Sequence, residues 1–277
     1  MAALSEAPAP LCLAVVDRSV RIHCEDAEAR DRLTGTYGGM LVPAPEARVD
    51  LDYRVERRRE GFSIGRGGQE IGSALSLEDA LFLLDEDLVV GIQRARQDLH
   101  FVHAAALEHA GRALLLVAES GGGKSTTTWA LLHHGFRYGS DELAPVEPGT
   151  GRVHDFPLAL CLKSDPPASY PLPAGVIRTA RARHIPVDKL PGPRARFPCP
   201  LAALFFVRYQ PEAARPSLRR MAPAEAAARL FAQTLNGLAH PGEGLDTAIA
   251  IASRGPCFNL EAGELGATSR LVLSTCS

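Results

Sequence analysis

Ala118-Glu-Ser-Gly-Gly-Gly-Lys-Ser125 is the stretch on which the reading of this chain turns. The run Arg112-Ala-Leu-Leu-Leu-Val117 before it reads as a buried strand. Lys124–His134 after it carries helix formers and ends at Gly135, a residue suited to the position just past a helix. Glycines between a strand and a helix let successive backbone N–H groups turn inward on an anion, and the helix start adds its positive end. Lys124 then reaches the outer phosphates of a nucleotide, and Ser125 offers a hydroxyl to Mg²⁺. Ser120, Gly121, Gly122, Gly123, Lys124, Ser125 and Thr126 are therefore the expected nucleotide-binding residues, with ATP the expected ligand. The pattern G-x-x-x-x-G-K-[ST] begins with Gly where this chain has Ala118, which substitutes only if φ there stays negative. A flexible glycine linker would need neither the Lys-Ser ending nor the apolar strand.

A phosphate cradle needs carboxylates nearby to do chemistry. Phe136-Arg-Tyr-Gly-Ser140 predicts a short strand that delivers Asp141-Glu142 at its carboxyl end, the edge where ligands bind in α/β sheets. One acid of such a pair can sit on Mg²⁺ while the other accepts the proton of an attacking hydroxyl. Taken alone, Asp-Glu in a turn reads as solvated; beside the glycine loop it reads as a reaction centre.

His103, the loop 118–125 and Asp141-Glu142 together resemble the HPr kinase/phosphorylase family and related bacterial serine kinases, whose core is similar in outline to phosphoenolpyruvate carboxykinase. In that family a His precedes the loop strand, a G-x-S-G-x-G-K-S loop follows, and an acidic pair comes after the next strand. The intervals agree, with fifteen residues from His103 to Ala118 and seventeen from Lys124 to Asp141. The resemblance implies Asp141 as the base, His103 as its neighbour, Lys124 as phosphate ligand, and Ser125 with Glu142 on the metal side. Two positions depart from the family. Thr126 stands where an additional Glu often follows Lys-Ser, and Glu142 replaces an Asp. The later signature segment of the bifunctional branch has no clear counterpart, so the resemblance covers roughly residues 100–165.

Other classes are excluded by missing motifs. The later apolar run Leu201-Ala-Ala-Leu-Phe-Phe-Val207 ends in Arg208-Tyr209 without an acid, and no Asn-Lys-x-Asp segment is present, which argues against GTPases and transporter ATPases. No His-Arg-Asp catalytic segment of eukaryotic-type protein kinases occurs. The 277 residues are 46% hydrophobic with a formal net charge of −2, an ordinary globular composition with no basic excess for nucleic acid. Cysteines at 12, 24, 161, 199, 257 and 276 lack metal-ligand spacing and read as reduced thiols. No signal-peptide pattern or membrane-length apolar run is seen, so the expectation is a cytoplasmic protein without a membrane partner. Adjacent helix positions face different ways, so His133-His134 reads as an ordinary helix end. Lysine stands only at 124, 163 and 189 among 30 Lys and Arg residues. Lys163, closing the run 156–162, is read first as a solvated strand end and otherwise as a substrate or phosphate contact.

Two units are expected. Residues 1–99 form a small β-rich unit, with a hairpin of Leu11–Val16 and Val20–Cys24 around Asp17-Arg18-Ser19, a helix over Ala27–Leu33, and strands at Val49–Val55, Phe62–Ile64 and Glu70–Ile71. A bridging helix over Ser76–Leu99, capped by Ser76, closes the unit. Residues 100–277 form the core, with strands at Phe101–Leu107, Ala113–Val117, Phe136–Gly139, Val153–Phe156, Ala159–Leu162, Leu201–Val207 and Cys257–Leu260. Helices are expected at Pro223–Asn236 and Leu245–Ser253. Pro166–Pro200, rich in Pro, Gly and Arg, predicts a long loop over the active-site edge whose arginines are read as solvated, as guides for an anionic or acidic substrate, or as the source of one guanidinium for the transferring phosphoryl group.

The expected fold is α/β, a P-loop core sheet of the HPr kinase/phosphoenolpyruvate carboxykinase type with a small N-terminal β-rich domain. The expected activity is ATP- and Mg²⁺-dependent transfer of the γ-phosphoryl group to a serine-type hydroxyl. The resemblance supplies the acceptor, a peptide or small protein; stand-alone relatives modify precursor peptides of the lasso-peptide type. A homo-oligomer is admissible. Two alternatives stay open: a kinase of free serine or a similar metabolite, and a non-catalytic nucleotide-binding regulator.

Overall fold

The computed structural model describes residues 8–43, 48–210, 213 and 215–276. The chain is mixed α/β and divides into two compact units, Met1–Arg96 and Gln97–Ser277.

In the first unit β1 (Leu11–Val15) and β2 (Arg18–Cys24) pair antiparallel. Their connection is Val16-Asp17, both at positive φ (46° and 59°), a two-residue turn whose twist matches the strands. The sequence places this turn one residue later; Arg18 and Ser19 are instead already in the ladder, opposite Val15 and Ala14. α1 (Ala27–Tyr37) is capped by the Asp26 carboxylate on the Ala29 amide and runs a turn past its predicted end, burying Tyr37. It crosses over to β3 (Leu51–Arg57), parallel to β2, and β4 (Phe62–Arg66) and β5 (Gln69–Ala74) continue antiparallel in the order β1-β2-β3-β4-β5. α2 (Leu77–Ala95) starts at Ser76, whose hydroxyl accepts from the Asp79 amide at 3.1 Å, and stops at Arg96 rather than Leu99. Leu84, Leu88 and Ile92 bury its inner stripe. Asp85 on this helix is half-buried and accepts from the Tyr37 hydroxyl, and burial pushes its carboxyl up to about 6.

In the second unit the predicted strand Phe101–Leu107 is two strands, β6 (His100–Val102) and β7 (Ala104–His109), because the His103 amide leaves the ladder to donate to the Gln233 carbonyl at 2.8 Å. Next come β8 (Arg112–Val117), α3 (Lys124–Leu132), β9 (Arg137–Ser140), β10 (Ala144–Val146) and β11 (Arg152–Val153). β12 (Leu160–Leu162), β13 (Ile177–Arg178) and β14 (Arg183–Ile185) form a separate three-stranded sheet, ordered β12-β14-β13. The stretch predicted as one long loop therefore holds two strands and a 3₁₀ turn at Val187–Lys189. Short pieces pairing with a distant strand leave no periodic signal in sequence. β15 (Cys199–Tyr209), β16 (Ser217–Met221), α4 (Pro223–Phe231), α5 (Leu245–Ala252), β17 (Cys257–Ala262) and α6 (Leu265–Leu273) complete the chain; β16 and α6 were not anticipated.

The main sheet runs β6-β10-β11-β15-β8-β7-β9, with β17 on β15 and β16 on β17. β8 alternates strictly. Leu114 and Leu116 join the layer of α3 and α6, with Trp129, Phe205 and Val207, while Ala113, Leu115 and Val117 join the layer of α4 and α5, with Phe206 and Ile251. β7 is antiparallel to both β8 and β9, so β8 and β9 run the same way. Their carboxyl ends and the start of β7 consequently share one edge of the sheet. β15, parallel to β8, ends there as well.

β6 is tied to the segment after α4. Leu235 donates to Phe101 at 2.9 Å, and Asn236 bridges the Phe101 amide and the Leu99 carbonyl. His100 is fully buried here, its Nε2 3.1 Å from the Thr234 hydroxyl and its ring edge-on to His240. Burial and the neighbouring His240 push its pKa down to about 4. The native histidine resists a proton that the unfolded one accepts, so its contribution is complete above about pH 6.5 and lost as pH falls through about 4. That difference is on the order of 3 kcal/mol. The enclosed Asp141 carboxyl acts in the opposite sense over the same range, so the contribution of His100 is read by difference: between pH 7 and pH 4.5 the urea midpoint, followed by fluorescence of Trp129, is expected to drop relative to that of His100→Phe. An unchanged slope in the variant would place the acid sensitivity elsewhere.

Candidate functional site

The glycine loop joins β8 to α3. Ala118 is buried in the layer beneath α3, and its φ is not positive, which meets the condition for alanine at that position. Gly121 and Gly123 take φ of 83° and 92°. A Cβ on Gly123 would stand 2.8 Å from that of Tyr209, so both the backbone and the neighbouring side chain require glycine there. The Tyr209 amide donates to the Gly122 carbonyl at 2.9 Å, fastening the loop to the end of β15. α3 has no side-chain cap, and its first backbone bond runs from the Thr127 amide to the Gly123 carbonyl, so the amides of Lys124, Ser125 and Thr126 open its N-terminal end.

Lys124 connects the loop to the acidic pair. Only 7% exposed, its ammonium donates to the Asp141 carbonyl and lies 3.5 Å from Glu142 Oε2. The turn carrying the pair is held by the Ser140 hydroxyl, which accepts from the amides of Glu142 and Leu143 at 3.3 and 3.0 Å. His103 Nε2 is 2.9 Å from the same Glu142 oxygen. His103, Lys124, Asp141 and Glu142 are thus gathered at one edge. Among the described residues the hydroxyls of Ser125 and Thr126 make no hydrogen bond to the acids, and Ser120 is held separately, by Lys163 at 2.8 Å.

The two acids occupy unlike surroundings. Asp141 is 1% exposed; Oδ1 lies 2.7 Å from the Tyr138 hydroxyl and Oδ2 accepts from the Cys161 amide at 3.0 Å. Burial raises its pKa to about 6, helped by the charge of Glu142 and opposed by Lys124 and the two hydrogen bonds. Glu142 has a half-exposed side chain. Burial pushes its pKa up, but the His103 hydrogen bond and Lys124 outweigh this and hold it below the usual carboxylate range. The Tyr138 hydroxyl also lies 3.0 Å from the Leu158 carbonyl, and it has one proton to give. An ionised Asp141 takes that proton as a hydrogen bond; a neutral Asp141 donates to the phenol oxygen, and the phenol turns to Leu158. The site therefore accommodates both protonation states of Asp141.

Tyr138, Ser140, the Cys161 amide and Tyr209 were not read from the sequence as site residues, because their roles depend on which strands are neighbours. The Cys161 thiol lies close enough for the acids to add to burial in raising its pKa to about 12, which leaves it an inert thiol. Of the arginines in 166–200, Arg178 and Arg183 both bind Asp165, each at 3.0 Å. His133 packs edge-on to Trp129 and His134 meets the Tyr170 hydroxyl at 2.9 Å, as ordinary helix-end histidines do. Among the described residues no cluster of three or more His, Cys, Asp or Glu could hold a metal ion, and no helix is long and apolar enough to cross a membrane. No protein-family model matches the chain, and no curated protein matches it.

Tyr138→Phe is expected to destabilise the unit by about 1–3 kcal/mol, since a buried acceptor loses its donor. It should also move Asp141's titration above about 6, because the phenol favours the ionised form. Carbon-detected NMR of the Asp141 carboxyl reads the shift; an unmoved or lowered pKa would mean the phenol does not serve this carboxylate.

Proposed function

We propose that the second unit is a P-loop core of the HPr kinase/phosphoenolpyruvate carboxykinase type. It acts in the cytoplasm as an ATP- and Mg²⁺-dependent kinase that moves the γ-phosphoryl group to a serine-type hydroxyl of a peptide or small protein. The observation that carries this reading is Lys124, a buried ammonium at the start of α3 set on the Asp141-Glu142 turn. It puts an anion-cradling loop and a pair of carboxylates within one side chain's length. Backbone amides of the loop and the first turn of α3 receive the phosphates, and Lys124 neutralises their outer oxygens.

Ser125 and Glu142 are accessible oxygen donors suited to Mg²⁺, which would complete its coordination with phosphate oxygens and supply charge neutralisation at the β and γ positions. Asp141, with a pKa of about 6, is poised near neutrality to accept the acceptor's hydroxyl proton, and His103 orients the Glu142 carboxylate. Enclosure of Asp141 favours a second assignment within the same reaction. The accessible Glu142 then takes the proton, and Asp141 holds the site together from beneath.

Titration calorimetry and transfer of labelled phosphate from ATP to peptide, to free amino acids and to no acceptor test the reading. Lys124→Ala is expected to abolish nucleotide binding, and Lys124→Arg to impair it, since a planar guanidinium does not fit a site shaped for an ammonium. Asp141→Asn is expected to keep ATP affinity and lose about 10²–10⁴ in rate, while Glu142→Gln weakens Mg²⁺-dependent binding. Activity of the wild type should rise with pH through about 6, where Asp141 ionises, and Asp141→Asn should lose that limb and retain only what belongs to the nucleotide. If Glu142→Gln loses rate with affinity intact and Asp141→Asn does not, the two roles are exchanged. Wild-type turnover in Lys124→Ala would sink the kinase reading.

A further inference from the structure

Three lysines stand among 30 cationic Lys and Arg residues, and two of the three meet at the glycine loop. Lys189 pairs with its neighbour Asp188 and Lys124 with Glu142. Lys163 makes no ion pair among the described residues, because the nearby Asp165 is taken by Arg178 and Arg183. Its ammonium instead donates to the hydroxyl of Ser120, within the loop, at 2.8 Å. Among the described residues the one polar partner of this exposed ammonium is a neutral hydroxyl, and it stands over a loop that opens backbone amides, so its positive charge adds to theirs. Its placement is not accidental to the strand. Lys163 follows the last residue of β12, and two residues earlier the Cys161 amide holds Asp141.

We infer that Lys163 is a second phosphate ligand, binding the terminal phosphoryl group of the polyphosphate; this rests on the glycine loop being the phosphate site proposed above. Lys124 approaches from α3 and Lys163 from β12, so the group is held from two separate elements. An ammonium suits that task because it is a point charge with rotatable donors, able to follow an oxygen that moves, where a guanidinium imposes a planar fork.

The test uses the intact chain and two simple probes, tripolyphosphate and pyrophosphate, measured by titration calorimetry. Lys163→Met is expected to weaken tripolyphosphate roughly ten- to hundredfold, the worth of one charge-assisted hydrogen bond, and to leave pyrophosphate unchanged. Lys163→Gln repeats the test with a polar residue. Equal tripolyphosphate affinity in wild type and Lys163→Met overturns the inference while the loop reading stands, provided Lys124→Ala loses both probes. Equal losses for the two probes would show that Lys163 shapes the loop rather than binding the ligand, and also overturn it. If the wild type takes up neither probe, the loop reading fails and the inference fails with it.

Discussion

A lysine ammonium that is 7% exposed must find compensation inside the protein, and the candidate site is organised around how Lys124 does so. The Asp141 carbonyl and the Glu142 carboxylate supply the compensation, and to reach them the carboxyl end of β9 has to lie beside the start of α3. The β8-β7-β9 arrangement meets that requirement, because an antiparallel strand between two others makes the outer two parallel. His103 arrives at the same edge because the ladder breaks there, its amide diverted to Gln233. The convergence of these residues is a consequence of sheet order rather than of any one motif.

Adjacent in sequence, Asp141 and Glu142 titrate in opposite directions. The first is enclosed by Tyr138 and the β12 backbone and rises to about 6; the second reaches water, His103 and Lys124, and falls. Their mutual repulsion widens the gap, since the ionised Glu142 adds to the cost of ionising Asp141. Two carboxylates separated in this way can hold different protonation states at one pH, a general condition for dividing proton transfer and charge stabilisation between them.

The parts of the site legible in the sequence are those whose chemistry is local. The glycine loop, Lys124 and the Asp-Glu turn lie between a strand and a helix that periodicity locates, and Ser76 announces the start of α2 by its capping chemistry alone. What was not legible depends on pairing between distant segments. Tyr138 matters because its hydroxyl reaches Asp141 and Leu158, Cys161 because β12 passes beneath the acid, and Tyr209 because β15 is parallel to β8. β13 is two residues long and β14 three, too short to show a period, so the segment after β12 read as loop. The break at His103 was hidden for a related reason: apolar residues on both sides read as one run, and only the position of Gln233 divides them.

The fastening of the glycine loop to β15 bears on where its ordering entropy is settled. Gly122 is tied to the Tyr209 backbone and Gly123 lies against the Tyr209 side chain, so the loop takes its shape as the central strands pair. The entropy lost in fixing those residues belongs to folding, and an anion bound as proposed would meet a cradle already set. Association there should bury little apolar surface and carry a correspondingly small change in heat capacity, the thermodynamic mark of a rigid receptor rather than of a segment that folds around its ligand.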